Sequence, residues 1–144
     1  MLRPVEKNDT KILFEWRNDP DTRASSVNTE PLKWEDHLNW LNKTLHNPDR
    51  QLFVFLSEGL PAGTCRVDKE TEDVFELSST IAPEFPGKGL GKVMLQELLE
   101  HQSLAGKRKK AVIKPDNIAS LKMVEHFGFK RGSDSDGLAV WYLD

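Results

Sequence analysis

The spacing of apolar residues changes several times along the chain, and each change marks an element. Leu2-Arg3-Pro4-Val5 reads as a short strand whose proline confines it to a sheet edge. Ile12, Leu13 and Trp16 then share one helical face behind Asp9, a candidate N-cap, and Asn18-Asp19-Pro20 closes that helix. Asp21 to Glu30 is polar and irregular. From near Pro31 a helical spacing returns with Trp34, Leu38, Leu41 and Leu45, and it stops at Asn47-Pro48-Asp49. The period then becomes two. Gln51–Leu56, Ala62–Lys69 and Val74–Ile81 read as successive strands, separated by the turn Glu58-Gly59-Leu60-Pro61 and the acidic loop Glu70-Thr71-Glu72-Asp73. A glycine turn follows, then a helix carrying Leu90, Val93, Met94, Leu98 and Leu99 on one stripe with Glu97 and Glu100 outward. A strand at Ala111–Lys114, a helix over Ile118–His126 capped by Gly128, and a closing hairpin of Phe129–Arg131 and Leu138–Leu143 complete the chain.

The resulting order, β-α-α-β-β-β-α-β-α-β-β, predicts an α/β layer fold: a mixed, mostly antiparallel sheet flanked by four helices. At 144 residues the chain is expected to form one domain, spanning residues 1–144. A net charge of −3 with both signs interspersed points to neither nucleic acid nor an anionic membrane surface. Cys65 is the one cysteine, which excludes an internal disulfide and a cysteine-rich zinc site, and no metal site is expected. No apolar run is long enough for a signal peptide or a membrane span, so a cytoplasmic protein is expected.

The stretch from Ile81 to Leu99 carries the first chemistry. Pro83 and Pro86 end the strand, and Gly87, Gly89 and Gly91 leave the backbone bare where the helix opens. Such a turn aims unpaired N–H groups and the positive end of a helix dipole at one point, which suits a phosphate, and Lys88 and Lys92 add charge. A nucleotide P-loop would need glycine where Pro86 stands and Ser or Thr where Val93 stands; GxGxxG would need glycine at Lys92 or Met94. What remains resembles the acyl-CoA pyrophosphate loop of the GNAT acetyltransferases, Arg/Gln-x-x-Gly-x-Gly/Ala, matched at Gly89 and Gly91 with Pro86 in place of the Arg or Gln. A second stretch, Asn117-Ile118-Ala119-Ser120-Leu121-Lys122-Met123-Val124-Glu125-His126-Phe127-Gly128-Phe129, resembles the family's Asn-x-x-Ser/Ala-x-x-Leu-Tyr-x-x-x-Gly-Phe. Asn117, Ser120, Gly128 and Phe129 match, one strand after the glycine turn as in that family, whose element order is the one predicted above.

The resemblance implies acetyl-CoA as co-substrate. Backbone amides of Gly87, Lys88, Gly89, Leu90, Gly91 and Lys92 would hold its pyrophosphate, and the main chain at Ile81 would pair with pantetheine like an added strand. Asn117 would hydrogen-bond the pantetheine arm, with Ser120 beside it; Asn117 also reads independently as a helix N-cap. Many family members protonate the departing sulfur with a tyrosine where this chain has Val124, and the lone tyrosine, Tyr142, sits on the last strand. For the base the strand offers Glu76, with Ser78 and Thr80 on the same face by the two-residue period; any of the three could hold a relaying water, and pairing of Glu76 with Arg66 or a lysine is the alternative.

Trp16-Arg17-Asn18-Asp19-Pro20-x-x-Arg23 followed by Trp34-Glu35-Asp36-His37-Leu38-x-Trp40 resembles GNAT enzymes of surface-glycan pathways, of the pseudaminic-acid type, that acetylate an amino group on a nucleotide-linked sugar. Arg17, Asn18, Arg23 and His37 are then the acceptor-binding candidates, Arg for its forked donors, and Trp34 or Trp40 could stack a ring. The partner implied is a small amine, with no nucleic acid or membrane partner; a homodimer is one assembly the chain admits. Acetylation of peptide N-termini or small amines is the runner-up, and an inactive acyl-CoA-binding module the third reading.

Overall fold

The computed structural model describes residues 1–25, 29–85 and 89–144. Its elements are β1 (Leu2–Pro4), α1 (Thr10–Arg17), α2 (Pro20–Ser25), α3 (Trp34–Leu45), β2 (Arg50–Ser57), β3 (Leu60–Lys69), β4 (Val74–Ile81), α4 (Leu90–Leu99), β5 (Arg108–Ile113), α5 (Ile118–His126), β6 (Lys130–Arg131) and β7 (Ala139–Leu143). Two 3-10 turns, Lys7–Asp9 and Gln102–Leu104, accompany them. The strands form one sheet in the order β1-β2-β3-β4-β5-β7-β6. All pairings are antiparallel except β4 with β5. The mixed α/β sheet is the one predicted from the element order.

Helix α2 departs from prediction. Pro-Asp-Thr-Arg-Ala-Ser has no apolar stripe to betray it, and it raises the α-helices to five among the described residues. Asp19 builds its start, accepting hydrogen bonds from Thr22 N (3.1 Å) and Thr22 Oγ1 (3.3 Å). Asp9 precedes α1 as expected but does not cap it: its carboxylate takes two 2.8 Å bonds from Arg3 and one from Glu6 N. Helix α3 begins at Trp34 rather than near Pro31.

One face of the sheet carries the larger core, where Phe53, Phe55, Cys65, Val67, Phe75 and Leu77 meet Met94, Leu95 and Leu98 of α4 and Val124 of α5. The buried residues of α4 are Met94, Leu95 and Leu98, with half-buried Gly91 on the same face, an i, i+3, i+4, i+7 set. Val93, predicted inside, is 48% exposed. The opposite face carries a smaller cluster of Val5, Leu13, Trp16, Leu41 and Val54 under α1 and α3. Gly128, at φ 85°, ends α5 in a Schellman arrangement: Gly128 N donates to Glu125 O (3.0 Å) and Phe129 N to Val124 O (2.9 Å), which drops Phe129 into the core. Among the described residues no helix is long and apolar enough to cross a membrane.

Candidate functional site

The sheet opens a gap at its centre. β4 pairs with β3 over Phe75–Ile81 but with β5 only as far as Leu77 opposite Ala111, while β5 runs on beside β7 to Ile113. Ala82 N donates to Ala62 O (2.8 Å), so the main chains of Ala82, Thr80 and Ser78 turn toward β3. By alternation, Ser79 and Ile81 present their N–H and C=O groups to the gap. An extended ligand with amides of its own can satisfy them as a partial strand would.

Helix α4 starts beside this edge. Gly89, at φ 70° in the left-handed region, turns the chain into it, and the first-turn N–H groups of Leu90, Gly91 and Lys92 have no intrahelical acceptor. A Cβ on Gly91 would lie 2.9 Å from Met123 Cε and 3.8 Å from Ile81 Cγ1, so α4, α5 and the end of β4 converge there. Gly87 and Lys88, expected in the same cradle, lie outside the described residues. Lys92 is exposed and Leu90 half-buried. Across the gap Asn117 caps α5, its Oδ1 accepting from Ser120 N (3.3 Å), which leaves its amide N–H groups for a ligand.

The register of β3 on β4 is unbroken from Gly63↔Ile81 to Lys69↔Phe75, so Glu76, Ser78 and Thr80 share one face. Ser78 is the first residue beyond the paired part of β4, and it is exposed. Glu76 lies two residues earlier, between Asp68 of β3 and Lys110 of β5 in the register. The alternative pairing of Glu76 is not made: Arg66 lies against Asp68 and Lys110 bonds Glu70 (2.7 Å). Glu76 instead lines a recess of about 370 Å³ with Asp49, Arg50, Asp68 and Glu70.

The same face carries the predicted acceptor residues. Arg17, at the end of α1, lies 3.8 Å over the Trp40 ring and donates from Nη1 to His37 Nδ1 (3.0 Å). Burial, and then the charges of Arg66 and Arg50, push its guanidinium down to about 10, so it stays charged at neutral pH. His37 is 0% exposed. Its Nε2–H donates to Thr10 O (2.8 Å), which leaves Nδ1 to accept from Arg17 and fixes the neutral tautomer. Burial holds the His37 pKa below its usual value. The structure thus puts His37 beneath Arg17, with both nitrogens engaged, rather than open to an acceptor. Asn18 Oδ1 accepts from Leu32 N (2.9 Å) and ties down the chain before α3. Arg23, on α2, has its Nε buried without a hydrogen-bond partner among the described residues. Lys114, just past β5, donates to Ala24 O (2.9 Å) and so anchors α2 to the strand across the gap.

Two arginines were not foreseen as site residues. Arg50 and Arg66 come onto this face because Arg50 registers with Asp68 on β3 and Arg66 with Ser78 on β4. Arg50 engages Asp68 through Nε (2.6 Å) and Nη2 (3.4 Å). Arg66 Nε lies 3.0 Å from Asp68 Oδ2, yet its N–H points elsewhere and makes no hydrogen bond. The sequence signal was the alternation of Arg66 with buried Cys65 and Val67, but only the strand register brings Arg66 toward Arg17.

Three further residues bear on the chemistry. Val124 is buried in the larger core at 5% exposure. Tyr142, on β7, sits under Arg108, whose guanidinium carbon is 4.1 Å from its ring, and pairs in register with Lys110. Cys65 is buried, its thiol pushed up to about 12 by desolvation and then by the charge of Glu97.

Residues 1–130 match the family pattern described as "Acetyltransferase (GNAT) domain". The uncharacterised protein MJ1062 of Methanocaldococcus jannaschii is 27% identical over 135 residues, 91% of this chain; the chain spans only 28% of that relative's length. Acetyltransferase PseH of Campylobacter jejuni is 23% identical over 127 residues, 87% of this chain and 79% of PseH. The PseH crystal structure superposes at a TM-score of 0.79 with 18% identity, covering 100% of this chain and 96% of that one. The structure of yncA from Salmonella typhimurium, solved with its cofactor acetyl-CoA, superposes at 0.78 with 21% identity, covering 100% and 92%.

Proposed function

This chain belongs to the acetyltransferase (GNAT) family, and on that premise we propose that it moves the acetyl group of acetyl-CoA onto the primary amine of a nucleotide-linked amino sugar. Acetyl-CoA supplies an acetyl thioester, and the residues present fit it. The open edge at Ser79 and Ile81 suits the amides of pantetheine, the first turn of α4 suits a pyrophosphate, and Asn117 has N–H donors to spare.

On the acceptor side the amine must reach the gap neutral and shed a proton as it attacks. Ser78 and Thr80 stand on the face from which an amine approaches, and they hold the water that takes the proton. Glu76, unpaired and lining the recess two residues away, receives it. An amino group flanked by the electron-withdrawing oxygens of a sugar is less basic than lysine, so this relay needs no stronger base. With Val124 buried and Tyr142 beside Lys110, the departing thiolate takes its proton from solvent. A thiolate leaves readily enough for that.

The carrying observation is Arg17, a charged guanidinium stacked on Trp40, held by buried His37 and within reach of the charges of two further arginines. The resemblance of the Trp16–Trp40 region to nucleotide-sugar acetyltransferases and the match to PseH support the same acceptor. A peptide N-terminus calls for an acidic groove; here Arg17, Arg50 and Arg66 share the face with the recess of Asp49, Asp68, Glu70 and Glu76, and the amine panel decides between the two acceptors.

The test is release of CoA thiol from acetyl-CoA with a panel of amines. Turnover is expected with amino-sugar nucleotides, with kcat/KM at least tenfold above that for peptides or polyamines. Preference for peptides, or acetyl-CoA binding with no turnover on any amine, overturns the reading.

A further inference from the structure

We infer that Arg66, together with Arg17, seats a phosphate joined directly to the sugar ring that carries the reacting amine. This deepens the amino-sugar reading and rests on it for the identity of the ring, but the anion seat stands on observations of its own.

The first is a charge imbalance. Arg17, Arg50 and Arg66 share one face of β2, β3 and β4 with two carboxylates, Asp68 and Glu76, so the guanidiniums outnumber them. Arg50 claims Asp68 with two hydrogen bonds and Arg66 shares that carboxylate by an ion pair at 3.0 Å without a hydrogen bond, so one carboxylate serves both, and Arg17 is in no ion pair among the described residues. Like charges so placed destabilise the folded protein unless an anion joins them.

The second is direction. The Arg66 Nε–H is buried and makes no hydrogen bond although a carboxylate oxygen lies 3.0 Å away. Arg17 gives Nη1 to His37 and lies 3.8 Å over the Trp40 ring, and it makes no other side-chain hydrogen bond among the described residues. Two guanidiniums on one face match a tetrahedral phosphate better than a single carboxylate.

The third is reach. Arg66 registers with Ser78, where the gap between β4 and β5 begins. Neighbouring strands lie about 4.8 Å apart, so an anion on Arg66 sits roughly one to two strand spacings, ~5–10 Å, from an amine poised at the gap. One pyranose ring with a phosphate on its anomeric oxygen and an amine on the far side spans that interval. A peptide α-amine carries no fixed anion at such a distance.

The test is a calorimetric titration with inorganic pyrophosphate, in the presence of saturating CoA to occupy the α4 cradle. Binding by the native protein, weakened about 10- to 100-fold in Arg66→Gln and partly recovered in Arg66→Lys, is the expected result. No pyrophosphate binding, or equal binding by native protein and Arg66→Gln, overturns the proposal. A parallel assay compares an amino-sugar 1-phosphate with the free amino sugar: the native preference for the phosphorylated form should fall about 10- to 100-fold in Arg66→Gln. Pyrophosphate binding that depends on Arg66, with no amino sugar acetylated, would leave the anion seat standing and remove only the sugar.

Discussion

The two faces of the sheet are built by different physics. On one, aromatic and aliphatic side chains of β2–β5 meet α4 and α5, and the residues pointing inward are almost wholly apolar. On the other, a smaller apolar cluster under α1 and α3 gives way to Arg17, Arg50, Arg66, Asp68, Glu76 and buried His37. The first face earns its stability from area removed from water, so it can be a rigid backing for backbone groups that hold a ligand. The second keeps charges partly desolvated, and such charges stabilise little by themselves but discriminate strongly between ligands. Stability and selectivity are therefore expected to separate between the faces.

Leu98→Ala is the strongest probe of that separation. Leu98 is 0% exposed in the larger core, and its truncation should cost about 2–5 kcal/mol in urea unfolding while the folded fraction keeps its acceptor preference. A cost below about 1 kcal/mol would mean the apolar face is not the main support. On the other face, Arg17→Ala should raise the acceptor KM about 10- to 100-fold, leave the Kd of acetyl-CoA unchanged and cost less stability than Leu98→Ala, about 1–2 kcal/mol for the His37 Nδ1 left unpaired. An unchanged KM removes Arg17 from the acceptor site.

Gly63→Ala tests where the faces meet. A Cβ there would lie 2.7 Å from Thr80 O, which is backbone and cannot turn aside, and 2.9 Å from Met94 Sδ. The expected cost is about 1–3 kcal/mol of stability with weaker acetyl-CoA binding, because Gly63 registers with Ile81 on the gap. Wild-type stability would show that β3 and β4 slide apart freely.

The mildest effect is a pH dependence. His37 must be neutral for Nδ1 to accept from Arg17, and burial sets its folded pKa below the 6.5 of the unfolded chain. The unfolded state then binds more protons, so the stability from this group is whole above pH 6.5 and declines as pH falls below it. Acceptor KM, a property of the folded protein, should rise only at lower pH still, where folded His37 itself takes up a proton, with acetyl-CoA affinity flat. An acceptor KM that stays level while NMR shows folded His37 protonating would show that the His37 contact does not hold Arg17.

The parts that could be read from the sequence were those fixed by neighbours in the chain. Asn117 caps α5 and Gly128 closes it, both by bonds spanning a few residues, so their motif was visible without any fold. The shared face of Glu76, Ser78 and Thr80 followed from a two-residue period that no bulge interrupts. In α4 the apolar count favoured Val93 over Leu95, because half-buried Gly91 lies on the inward face without being hydrophobic; its missing side chain lets Met123 approach. Helix α2 was invisible because Asp19 and Lys114 hold it, not an apolar face. Arg50 and Arg66 required the strand register, and the burial of His37 required the rings of Phe14, Trp34 and Trp40 packed around it.

The depth of Cys65 bears on how the reaction must be ordered. A thiol that ionises only near pH 12, sealed under the sheet, cannot carry an acetyl group between two substrates. With no thiol to hold the acetyl group, direct transfer between donor and acceptor bound together is expected, and double-reciprocal plots at several fixed acetyl-CoA concentrations should intersect instead of running parallel.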